Sequence, residues 1–116
     1  MGELRDGRVA LDDRERRLLR AALLEWGGPA CPTDDLAAAL GFSGAKNMAA
    51  EAWRFWQRID ARDVLAPAEW RSVLLAAEIV FVSDVVGSGL DWATTSGIPD
   101  SEALAILRGL QRKLPR

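Results

Sequence analysis

From Pro67 to Val86 the chain reads PAEWRSVLLAAEIVFVSDVV, a stretch that is apolar almost all round. A helix with no polar face has to be covered on most sides, so this stretch predicts the hub that the other helices pack around. Pro67 suits the first turn, where a missing N–H costs nothing, and Gly87 suits the stop. Arg71, Glu78 and Asp84 interrupt the run far short of the ~20 apolar residues that a membrane span needs. At 100° per residue, Trp70, Val73, Ala77, Val80 and Phe81 share one side of this helix, and Asp84 falls among them. Glu78 and Arg71 share a different strip.

The remaining segments carry helix signals and few alternating ones. For 116 residues this predicts one all-α domain of about five helices around the 67–86 helix. The first helix starts at Asp12 or Asp13 and stops at Gly27-Gly28-Pro29, with Leu11, Leu18, Leu19, Ala22, Leu23 and Trp26 as its apolar stripe. A short second helix fits Asp34 to Leu40, with Thr33 as N-cap. The third runs from about Gly44 to Asp60 with Ser43 as its cap. Its stripe centres on Met48, Ala52, Phe55 and Ile59, widened by Trp56 and Trp53. The last spans Asp100 to Leu114, points Ala103, Ile106, Leu107, Leu110 and Leu114 inward, and ends at Pro115. Residues 1–10 form a flexible arm or a small hairpin, since Asp6-Gly7 favours a tight turn.

The chemical inventory narrows function. The chain has no histidine and no tyrosine, and its one cysteine is Cys31. That removes the commonest general base, any Cys/His nucleophile pair and the usual zinc sets. Gly87-Ser88-Gly89 lacks the GK[ST] of a phosphate loop. Carboxylates and two lysines remain, which predicts a protein that is not an enzyme and holds no cofactor or metal. Net charge is −2, so no global basic field draws it to nucleic acid or to anionic lipid. Arg108, Arg112, Lys113 and Arg116 instead complement the negative end of the last helix. A lone cysteine suits a reducing compartment, and the first residues lack the apolar core of a signal peptide, which together predict a cytoplasmic location.

Two places depart from plain packing. A carboxylate on an apolar face costs several kcal/mol unless something meets it, so Asp84 is either a strut for the loop that follows or a contact residue. Residues 87–99 form a long connection for a domain of this size. It carries Asp91, Thr94, Thr95 and Ser96 as polar groups, and Trp92 as either an anchor folded inward or a contact plate. Of the five tryptophans, Trp26, Trp56 and Trp70 sit on core stripes. Trp53 lies about 60° round from Trp56 on its helix and is a candidate contact residue.

The run LAAALGFSGAKNMAAEAWRF at 36–55 resembles the helix-turn-helix of bacterial transcription regulators. Ala37 and Gly41 sit four apart, Leu36 and Leu40 pack the first helix, and Phe42-Ser43 leads into the second. The resemblance implies a DNA-contacting helix at 44–60, with Lys46 and Asn47 nearest the bases. Few other side chains there could reach base edges, and Asp34, Asp35 and Glu51 would face phosphates.

The first functional expectation is therefore a small regulatory or protein-interaction module, an adaptor or an antitoxin- or immunity-like partner. Asp84, Asp91, Trp92 and Trp53 would contact another protein or a second copy of the chain. DNA binding through 33–60 is the second expectation, and an enzyme or small-ligand binder using Asp84 and Asp91 the third.

Overall fold

The computed structural model describes residues 9–28, 30–84 and 86–114. Among these residues there are six α-helices, one short 3-10 turn and no strand, so the domain is all-α. The tight turn expected at Asp6-Gly7 and the stop at Pro115 lie outside the described residues.

Helix α1 (Asp13–Glu25) is opened by a reciprocal cap. The Glu15 N–H donates to Asp12 Oδ1 at 2.8 Å, and the Asp12 N–H donates to Glu15 Oε1 at 2.9 Å. Glu15 also takes Lys113 Nζ at 2.6 Å, which ties the start of α1 to the end of the last helix. Lys113 thus has a tertiary partner as well as a favourable place in its helix dipole. Leu18, Leu19, Ala22, Leu23 and Trp26 are all buried, as their stripe predicts.

Helix α2 (Asp34–Ala39) has the expected Thr33 cap, whose Oγ1 accepts the Leu36 N–H. Helix α3 (Ala45–Asp60) buries Met48, Ala52, Phe55 and Ile59. Its N-terminus is not capped by Ser43. Asp34 reaches across from α2, and its Oδ1 accepts the Ala45 N–H at 2.8 Å. A neighbouring helix does the work that local sequence assigns to the preceding serine.

Helix α4 (Pro67–Val82) opens with Pro67 as expected. The Ala66 N–H donates to Glu69 Oε1 at 2.8 Å, while Arg58 Nη1 of α3 donates to Glu69 Oε2 at 2.7 Å. Burial alone would push the Glu69 carboxyl up. The Ala66 N–H and the Arg58 guanidinium outweigh it and hold the group below its ordinary range. Trp70, Val73, Leu74, Ala76, Ala77 and Val80 are buried. The Trp26 indole N–H donates to the Ala76 carbonyl at 3.1 Å, joining the C-terminal end of α1 to α4. α1 packs most extensively on α3 and α4 and also meets the two helices after them, so α1 rather than the expected 67–86 helix holds the central position.

Helix α4 stops four residues before the expected end. Ser83 is extended (φ −82°, ψ 122°), and the chain folds back over the last turn of α4. The Ser88 N–H donates to the Val80 carbonyl at 2.7 Å, which satisfies one of the orphan acceptors of a helix end. The close return requires Gly87, since a Cβ there would lie 2.6 Å from Ile79 O and 2.7 Å from Val80 Cα. A 3-10 turn (Gly89–Asp91), helix α5 (Trp92–Ser96) and helix α6 (Asp100–Lys113) complete the fold. The expected irregular loop therefore contains a helix of its own, closed by Gly97 in the left-handed region (φ 76°). Among the described residues no helix is long and apolar enough to cross a membrane.

Candidate functional site

Because α4 ends at Val82, Asp84 leaves the apolar face on which helical periodicity places it. It is exposed, and its Oδ1 accepts the Leu90 N–H at 2.7 Å. Gly89 between them has φ +44°, and a Cβ there would lie 1.9 Å from Asp84 Oδ1 and 2.7 Å from Asp84 Cα. Carboxylate and glycine together fold 84–90 into a tight clasp, so Asp84 stands as a strut of this turn.

Beneath the clasp lies Trp92, with 0% of its surface exposed. Its ring meets Phe81 edge-on, centroids 5.7 Å apart at 84°. The contact-plate reading of Trp92 is thereby corrected: the side chain is the inward anchor of the segment, because burying an indole gains more than presenting it to water. The Trp92 Nε1 is buried without a hydrogen-bond partner among the described residues, at a cost of about 1–3 kcal/mol.

A residue that the sequence did not single out holds the segment from below. Glu25, the last residue of α1, is only 5% exposed. It accepts the Ser88 hydroxyl at 2.6 Å and the Thr95 hydroxyl as well. A carboxylate at a helix C-terminus meets an unfavourable dipole and, when buried, an unfavourable medium. The two hydroxyl donors answer that cost and lash both halves of 83–98 to α1. Its spacing was a usable signal, for Glu25 falls seven residues after Leu18 on the buried face of α1.

Fixed from three sides, the segment presents Leu90 to solvent, and Val82, the last residue of α4, is exposed just before the segment begins. Leu90 is 86% exposed and Val82 is 73% exposed, the largest values among the large apolar residues described. Asp91, next to Leu90, is exposed as well. The structure thus brings Asp84, Asp91 and Trp92 into one turn, as strut, surface group and anchor, and adds Leu90.

The other candidates lie on α3. Trp53 is 50% exposed and stacks on Trp56 with centroids 5.0 Å apart and planes at 14°. Lys46 is exposed. The Asn47 side chain accepts the Ser43 N–H at 3.1 Å, so it works within the turn. The turn between α2 and α3 uses Gly41 at φ +97° and is held to α4 by the Ser72 hydroxyl on the Leu40 carbonyl. The amide end of α3, where a phosphate would sit, is occupied by the Asp34 carboxylate. Glu51 forms an ion pair with Arg54, which leaves little net positive charge on that helix.

Comparison of the chain with known protein families, curated proteins and solved structures gives no match.

Proposed function

We propose that the protein is a small docking module that works by protein–protein contact rather than catalysis, with the 83–98 turn as its contact surface. The observation that carries this reading is Leu90, a leucine 86% exposed on a turn held by Asp84, Gly89, Trp92 and Glu25. A large apolar side chain in water gains nothing for the isolated fold, and a rigid turn presents it to a partner with little ordering cost. Val82 widens the apolar contact, and Asp91 supplies a charged rim. The partner fitting this surface is a protein with a shallow apolar pocket edged by basic residues. The inventory without histidine or tyrosine, and with one cysteine, agrees with a role without chemistry.

The test compares wild type with Leu90→Ser in capture from the native host, followed by mass spectrometry. Leu90→Ser should keep the thermal midpoint of the wild type and lose the partner that the wild type retains. Equal capture by both proteins removes the turn as the contact surface. A defined DNA duplex bound below about 1 µM in ~150 mM salt, and lost on Lys46→Ala, would replace this reading with DNA recognition through α3.

A further inference from the structure

The outer strip of α3 has a symmetry that packing within one chain does not use. Lys46, Trp53 and Asp60 are spaced by seven, so they lie on one line along the helix, about 21 Å from first to last. All three are exposed, as are Ala50 and Gln57, while Ala49 and Trp56 are partly covered. Trp53 is at the midpoint, a cation is one heptad before it and an anion one heptad after it. Small residues (Ala49, Ala50) fill the first half of the strip and larger ones (Trp56, Gln57) the second.

We infer that this strip is a self-association surface on which a second copy of the chain docks antiparallel, with the two-fold axis through Trp53. In that arrangement a residue k places after Trp53 faces the partner's residue k places before it. Trp56 meets Ala50, Gln57 meets Ala49, and Asp60 meets Lys46, each twice. At the axis Trp53 meets its own copy, plate against plate; on either side of it large side chains face small ones and opposite charges face each other, which favours close packing of helices. A parallel pairing would instead set Lys46 on Lys46, Trp56 on Trp56 and Asp60 on Asp60. The Trp53 plate is already held flat on Trp56, so docking costs it little rotamer freedom. Asp60 enters with one oxygen held by Arg20 Nη1 at 2.6 Å and its side chain still about half exposed, which leaves its second oxygen for Lys46 of the second copy. The surface is narrow, one helix wide and about four turns long, so the dimer is of the weak, transient size class.

Sedimentation of the full chain from about 10 µM to 1 mM tests this. The mass should move from one copy toward two across that range. Ala50→Arg, which places bulk where Trp56 should seat, should hold the chain monomeric without changing its thermal midpoint. Lys46→Glu and Asp60→Lys should each weaken the homodimer at least tenfold by setting like charges together at both ends. An equimolar mixture of those two variants should restore association, since every end then carries opposite charges. A wild type that stays monomeric at 1 mM overturns the proposal. So does a dimer unaffected by Ala50→Arg, or a variant mixture that associates no better than its components.

Discussion

The Asp84 carboxylate and the Leu90 amide lie 2.7 Å apart across a six-residue interval, and this one bond sets where the most exposed leucine of the described chain stands. Asp84→Asn keeps an acceptor of the same shape and loses the charge-assisted part, so it should cost about 1 kcal/mol. Asp84→Ala leaves the Leu90 N–H to water and should raise its hydrogen-exchange rate well above that of the Trp92 amide. If Asp84→Ala leaves stability and the Leu90 exchange rate unchanged, the carboxylate is not a strut.

Gly89 and Gly97 both have positive φ, yet their surroundings differ. At Gly89 an added methyl meets Asp84 Oδ1 at 1.9 Å and Asp84 Cα at 2.7 Å, whereas at Gly97 nothing lies within 4 Å. Gly97→Ala should cost about 1 kcal/mol, the left-handed penalty alone. Gly89→Ala should cost clearly more, on the order of 2–4 kcal/mol, since backbone as well as side chain must move. Chemical denaturation of the two variants decides this, and equal losses would show that the clasp is softer than its geometry.

Removing Glu25 should loosen 83–98 as a unit. Glu25→Ala leaves the buried Ser88 hydroxyl unpaired, takes from Thr95 one of its two acceptors, and should cost about 2 kcal/mol. Glu25→Gln, which keeps one acceptor oxygen, should cost less. Hydrogen exchange should report faster opening of the Ser88 and Trp92 amides in both variants, with α3 unaffected. Uniform protection loss across the domain would mean that Glu25 serves the whole core.

Glu69 gives a signed dependence on pH. Its carboxyl titrates below the ordinary value of 4.5 because the Ala66 N–H and Arg58 outweigh its burial. The unfolded chain therefore binds a proton there before the folded one does. The stabilisation is fully present above about pH 4.5 and is lost as pH falls through the lower, folded-state value. The stability difference between wild type and Glu69→Gln should be largest near neutral pH and shrink in acid. A difference that stays constant from pH 7 to pH 3 would contradict the assignment.

Local sequence was informative wherever a cause and its effect lie within one or two turns. The stripes of α1, α3 and α6, the Thr33 cap, and Pro67 at the first turn of α4 are all interactions of short range, so periodicity and capping chemistry reveal them. The same reasoning failed at Ser43, where the cap comes from Asp34 on another helix. It failed again at Val82, for nothing in IVFVSDVV breaks a helix before Gly87. The break comes from Gly87 and Ser88 lying back on Ile79 and Val80.

That early end changed the site. With the helix continued to Val86, Asp84 would face the core; with the helix ended at Val82, it faces the turn and holds Leu90. Glu25 shows the same limit, since its position on the buried face of α1 was legible but its partners, Ser88 and Thr95, stand 63 and 70 residues away. By itself the sequence determined the all-α class, five of the six described helices and most of the buried stripes, because those follow from hydrophobic spacing along a single helix. Only the tertiary structure decided where α4 stops, which carboxylates are struts and which leucine meets the solvent. Each of those depends on a hydrogen bond or a close approach between segments whose distance in space is not a function of their distance in sequence.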